Sequence, residues 1–198
     1  MNQLNKSMFT RTACFCEENV FLLLKHKSIP DPSKTYAVFV SNPLKSVPIW
    51  RQSKGDPVVW DYHVFALIPD QKNEQEMLVL DLDSTLPFPS PLQQYMDEAC
   101  PILRDNRYKR FYRLIRGSEY IQTLASDRRH MKAVDQAGNT VWNAEPPAYA
   151  AIQTETSEFN LDRYWTMGPE DVGKSEAGFG SVYDEDTFRR VFAGDRAQ

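Results

Sequence analysis

The chain has only three cysteines and three histidines in 198 residues, and no apolar run comes near the roughly 18 residues that a membrane helix needs. Cys14, Cys16 and Cys100 are too few and too unevenly placed for a disulfide framework, and Cys-x-Cys is a poor spacing for a bridge. Free thiols in a reducing compartment are therefore expected. The cysteines and histidines fall in no recognised zinc spacing, so no metal is expected. Excess positive charge is also missing. With 23 basic and 27 acidic residues the formal net charge is -4, and no net field draws the chain to nucleic acid or an anionic membrane. The opening MNQLNKSMFTRTACF lacks the apolar core of a signal peptide. A soluble, intracellular protein with neither a nucleic-acid nor a membrane partner is the expectation.

What the chain does have is 41% hydrophobic residues, enough for one domain with a real core over residues 1–198, with 1–12 as a loosely held N-terminal segment. Residues 17–27 carry an acidic first turn, a basic last turn and an apolar face of Val20, Phe21, Leu23 and Leu24, which predicts a helix. Strands are expected at 36–41, 47–52, 58–68, 77–83 and 110–116, where β-branched and aromatic runs are broken by Pro, Gly, Asn and Asp. The short polar link after 58–68 makes that strand and 77–83 an antiparallel hairpin. Helical patterns return at 91–100, 118–125 and 184–192, while 135–147 and 168–180 read as loops. The expected class is α+β, a mostly antiparallel sheet flanked by helices.

Chemistry centres on ACFCEENVF. A cysteine at a helix start faces free backbone N–H groups and the positive dipole end, which favours thiolate; Cys16 sits there and Cys14 lies outside. Of the histidines, His26 lies late in the same helix, a dipole partner too far along the axis to meet Cys16, and His130 falls in a loop after a short helix. His63 stands in the apolar VVWDYHVFALI, where an imidazole needs a reason to be present. Period-two alternation puts Asp81 and Asp83 on one face of the neighbouring strand, and either could meet His63. Thiol, imidazole and carboxylate together suit acyl transfer.

Two other patterns are decoys. Residues 168–175 satisfy G-x-x-x-x-G-K-[ST], but Pro169 removes a donor, Glu170 and Asp171 repel phosphate, and no helix pattern follows. DNRYKRFYRLIR interleaves basic and aromatic residues, which reads as a strand with one wet face before it reads as a nucleic-acid surface.

CFCEENVF, YAVFVSN, VPIWRQ, VVWDYHVFAL, LDLDSTLPFP, FYRLI, ASDRRHMK and FGSVYDEDTF occur in this order. With them the chain resembles the protein N-terminal glutamine amidohydrolases from about Cys14 to Phe192. The resemblance implies hydrolysis of the side-chain amide of an N-terminal glutamine to glutamate and ammonia, feeding arginyl transfer and degradation by the N-end rule. It also implies a papain- or transglutaminase-like fold and a monomer without cofactor, acting on proteins or peptides in the cytoplasm and the nucleus. Its catalytic residues map onto Cys16, His63 and Asp81, which selects Asp81 over Asp83. Terminus specificity requires a partner for the substrate's α-ammonium, and Glu18 and Asp61 are the candidates by proximity in sequence. The chain has SDRRHM where the family has SDRSHM, and Lys174–Ala177 stand as extra residues before GFGSVY. A thiol peptidase or acyltransferase, and a non-catalytic module that binds N-terminal residues, are the competing readings.

Overall fold

A computed structural model describes residues 4–29, 31–73 and 75–194. Its strands are β1 (Tyr36–Ser41), β2 (Val47–Ile49), β3 (Val58–Trp60), β4 (Tyr62–Pro69), β5 (Met77–Leu80), β6 (Ser90–Pro91), β7 (Phe111–Arg116), β8 (Lys132–Val134), β9 (Thr140–Trp142), β10 (Ser175–Glu176) and β11 (Gly180–Asp184). The α-helices are α1 (Cys16–Leu24), α2 (Leu92–Glu98), α3 (Gly117–Thr123), α4 (Asp162–Trp165) and α5 (Glu185–Phe188), the last running on into a π-helical turn at Arg189–Ala193. Seven strands form one antiparallel sheet in the order β10-β11-β7-β1-β4-β5-β6, and β2–β3 and β8–β9 are separate hairpins. The mixed class with a large antiparallel sheet flanked by helices is as expected.

Alternation along the central strands sorts side chains onto two faces. Ala37 and Phe39 of β1, with Tyr62, Val64, Ala66 and Ile68 of β4, share a core with Val20, Leu23 and Leu24 of α1, Tyr120 of α3 and Tyr164 of α4. Val38, Val40, Phe65 and Leu67 share the other core with Leu92, Tyr95 and Met96 of α2 and Phe188 of α5. Because both faces are covered, β1 and β4 read as continuous apolar runs instead of alternating ones.

Several expectations are corrected. The run 58–68 is two strands in different sheets: the chain turns at Asp61, whose carboxylate accepts the Tyr62 N–H at 3.0 Å. Short hairpin strands within the irregular connections raise the expected five strands to eleven among the described residues. The first helix stops at Leu24, and His26 is no dipole partner; its Nδ1 accepts the Ser28 N–H at 3.2 Å and its ring meets Phe9 edge-on at 5.0 Å. The loop 135–147 contains β9, and 168–180 contains the edge strand β10. Strand β7 has no wet face before its last residue: the Arg113 guanidinium is buried and donates to the carbonyls of Tyr164, Thr166 and Phe179 at 3.0, 3.1 and 3.3 Å.

Residues 4–12 are not loosely held. Phe9 is buried in the α1-side core, Asn19 exchanges two 2.8 Å hydrogen bonds with the Thr12 backbone, Arg11 Nε donates to Asp83 at 2.8 Å, and Lys6 donates to the Ser84 carbonyl. Residues 1–3 of that segment lie outside the described residues. The segment thus straps the entry to α1 against the turn that follows β5, which fixes where Cys16 begins its helix.

Candidate active site

Cys16 is the first residue of α1, and the preceding Phe15 supplies no side-chain cap. The first-turn N–H groups are therefore open to a ligand. Pairing of β4 with β5 begins only at Ala66, so the start of β4 is free on that side. Into this gap the Val64 N–H is directed at the Cys16 sulfur. Cys16 is 7% exposed, and burial first, then the charges of Glu17, Asp83 and Asp61, push its pKa well up; the Val64 N–H opposes them. Burial and acidic neighbours thus act against the preference for thiolate that the helix start supplies. Cys14, outside the helix, is part-exposed in a left-handed conformation with its sulfur 3.3 Å from Lys54 Nζ, whereas Cys100 is buried.

His63 lies near the start of β4, fully buried, with the Trp60 ring stacked over it at 5.6 Å. Its Nε2 sits 3.0 Å from Asp81 Oδ2. The β4–β5 register would extend to set Asp83 opposite His63, but the ladder ends at Leu80 and the chain turns, bringing Asp81 across the diagonal instead. Asp83 pairs with Arg11. Asp81 Oδ2 also accepts from Tyr95 OH at 2.8 Å and Gln52 Nε2 at 3.3 Å, while Oδ1 accepts the Asp83 N–H at 2.8 Å. Burial alone would raise the Asp81 pKa, but these contacts, His63 foremost, hold it down at about 2. For His63, burial favours the neutral ring, yet the charge and hydrogen bond of Asp81, helped by Asp83 and Glu17, raise its pKa above the ordinary 6.5. With Nε2 committed to Asp81, Nδ1 remains as a buried ring nitrogen without a hydrogen-bond partner. Cys16 is thus brought against the backbone of the residue after His63, but no hydrogen bond joins its sulfur to the ring.

The two acids that follow Cys16 have separate fates. Glu18, a candidate for the substrate ammonium, is committed elsewhere: Arg128 Nε and Nη2 clasp its carboxylate at 2.8 and 2.9 Å, and Arg128 also donates to the carbonyls of Pro147 and Ala150. That buried pair ties α1 to the loop after α3 and engages both carboxylate oxygens of Glu18. Glu17 instead faces the thiol, 3.8 Å from Cys16 Sγ, and accepts from Tyr62 OH at 2.9 Å. The ring of His130, in the turn Arg129–Met131, comes within 3.5 Å of Glu17 and packs among Tyr62, Trp165 and Phe159. Asp61 is exposed, though its charge reaches the sulfur.

Tyr95, Gln52, Glu17, Tyr62 and Arg128 are the residues that sequence reasoning missed. Glu17 and Tyr62 adjoin Cys16 and His63 in the chain, a signal that was present. Tyr95 and Arg128 meet the site only through tertiary folding. Among the described residues no cluster of His, Cys, Asp and Glu could hold a metal ion, and no helix is long and apolar enough to cross a membrane. The residues 168–175 lead from Gly168 through a short turn into β10, with the Gly168 N–H given to Asp171 Oδ2.

Fold and site together define a mixed α and β protein with a buried thiol at a helix start and, on the adjoining strand, a buried imidazole anchored by a carboxylate. A family model described as N-terminal glutamine amidase matches residues 11–192. Relatives called protein N-terminal glutamine amidohydrolase are 43% identical in Oryza sativa subsp. indica, over 91% of this chain and 82% of theirs, and 38% identical in Bos taurus, over 91% and 86%. The Homo sapiens relative of the same description is 37% identical over 91% and 86%. The chain belongs to the N-terminal glutamine amidase family, whose named members are amidohydrolases of the carboxamide C–N bond.

Proposed function

We propose that the chain hydrolyses the side-chain amide of N-terminal glutamine in proteins and peptides, giving N-terminal glutamate and ammonia, with Cys16 as nucleophile, His63 as general acid and base, and Asp81 as the group that orients the ring. The observation that carries the reading is the division of labour on His63: Nε2 is bound to an ionised Asp81, and the buried Nδ1 takes no hydrogen bond on a ring of raised basicity, while the backbone of the next residue, Val64, reaches the Cys16 sulfur. A thiol whose ionisation is opposed by burial and by acidic neighbours needs such a base.

In the first half-reaction the Cys16 proton passes to His63 Nδ1 as the sulfur adds to the glutamine Cδ. The oxyanion that forms meets the open N–H groups at the start of α1. Collapse breaks the C–N bond, and His63 returns its proton to the leaving nitrogen, which departs as ammonia. Water then gives a proton to His63 Nδ1 and adds to the thioester; the second collapse breaks C–S, and the proton goes back to sulfur. Asp81 stabilises the imidazolium in both halves without itself being protonated. The reaction balances as amide plus water to acid plus ammonia and requires no metal or cofactor.

The same reading extends to a papain- or transglutaminase-like arrangement of helix-borne thiol and strand-borne imidazole, a monomer, a place in the cytoplasm and the nucleus, and supply of N-terminal glutamate to the N-end rule pathway. Peptides that differ only in their first residue test the activity, with mass and ammonia release as readouts. Gln-starting peptides are deamidated by the wild type and not by Cys16→Ala. Equal activity of the two proteins, or deamidation of internal glutamine, overturns the assignment.

A further inference from the structure

An enzyme that reads a chain terminus must recognise a cation, and a cation leaving water needs a paired anion. Resting on the function proposed above, we infer that Glu17 receives the α-ammonium of the substrate and is the specificity-determining residue for a free N-terminus. Four acids lie near the thiol, and one of them, Asp83, is already paired with Arg11. Glu18 is saturated by Arg128, and Asp61 stands in water, where a charge pair is worth little. Glu17 is fully buried, and its Oε1 has no hydrogen-bond partner. His130 Nε2, at 3.5 Å, borders that oxygen without bonding it, and it is the group that adjoins the place an ammonium would take. An acceptor left open inside a protein costs free energy unless a ligand completes it.

The distances fit one substrate. From Cδ to the α-nitrogen of glutamine is four bonds, about 5 Å when extended. A sulfur poised about 3–3.5 Å from Cδ, and an ammonium at hydrogen-bond distance from the carboxylate, suit a Glu17 that lies 3.8 Å from Cys16 Sγ. Tyr62 OH, donating to Oε2 at 2.9 Å, holds the carboxylate in that orientation. Glutamine inside a chain brings an amide in place of the ammonium and leaves Glu17 unpaired. Seating the ammonium also offsets the charge that opposes ionisation of Cys16, so recognition of the terminus and activation of the thiol are one event.

The test compares a Gln-starting peptide with its counterpart carrying a hydroxyl in place of the α-ammonium, using wild type and Glu17→Gln. Wild type should prefer the ammonium substrate in kcat/KM by about 100-fold or more, and Glu17→Gln should shrink that preference to about tenfold or less. The shrinkage should come from loss on the ammonium substrate, while iodoacetamide alkylates Cys16 at least as fast as in wild type. An unchanged preference overturns the inference, and so does an equal loss on both substrates with Cys16 still reactive. Glu17→Asp, which keeps the charge one methylene further back, is the second arm: its preference for ammonium should fall below that of wild type, and an unchanged preference overturns the inference there too. Absence of turnover by the wild type would instead sink the function itself.

Discussion

Two buried carboxylates, Glu17 beside the thiol and Asp81 on the His63 ring, are built in opposite ways. Asp81 accepts four hydrogen bonds, from His63, Tyr95, Gln52 and the Asp83 backbone. Glu17 accepts from Tyr62 OH and from the Cys16 thiol, both on Oε2, while Oε1 takes no hydrogen bond and has His130 Nε2 3.5 Å away. Saturation makes Asp81 a fixed charge: its acidity is held at about 2, its position is set from four sides, and its effect is to raise His63. Incompleteness makes Glu17 a receptor. The lesson is that burial alone does not assign a role to an acid, whereas the count of donors around it does.

The sharpest way to break this comparison is to neutralise the saturated member. Asp81→Asn keeps the shape and removes the charge, so kcat should fall by about 10³-fold or more, in line with other orienting aspartates. The His63 ring, followed by NMR titration, should lose its upward shift. A variant that retains activity, or an unmoved His63, would show that Asp81 does not tune the ring.

A second, smaller effect comes from the acid that neither tunes nor receives. Arg128→Met leaves the Glu18 carboxylate buried without its partner and should cost about 3–5 kcal/mol of stability, read as a fall in the denaturant midpoint. The fraction that stays folded should keep its preference for a free terminus, since Glu18 is outside the recognition site. Loss of that preference with little loss of stability would exchange the roles of Glu17 and Glu18.

The smallest effect is in the pH dependence of stability. Asp81 is depressed from 3.8 to about 2 on folding, so its contribution is present above the upper value and is lost as pH falls toward the lower. His63 is raised from 6.5, so its contribution is complete below 6.5 and is lost as pH rises through the folded value. The stability advantage of wild type over Asp81→Asn should therefore be greatest between these limits, by about 1–3 kcal/mol, and shrink on both sides. An advantage that grows steadily to alkaline pH would contradict the pairing.

The extended cores of the sheet were legible because β1, β4 and β7 are long runs of β-branched and aromatic residues. The break at Asp61 was hidden, since VVWDYHVFALI is equally apolar on either side, and only the separate pairing of β3 with β2 reveals it. Cys16, His63 and the pair Asp81 and Asp83 could be gathered from helix position and strand parity. Choosing Asp81 by geometry needed the turn after Leu80, which ends the register that parity assumed. Glu18 and Asp61 were the candidates for the ammonium by proximity in sequence, and the clasp of Glu18 by Arg128, 110 residues away, is not visible from that proximity. Such distant partners leave no local pattern in a single sequence.

The most direct test of the central claim uses a peptide whose first residue is 6-diazo-5-oxonorleucine, a glutamine isostere that alkylates the thiol attacking its carbonyl carbon region. After incubation with the wild-type protein, peptide mapping should place one label on Cys16, with Cys14 and Cys100 unmodified and no label from the N-acetylated peptide. A label on Cys14 or Cys100, or equal labelling by the acetylated peptide, would contradict an account in which Cys16 attacks the side chain of a residue held by its free terminus.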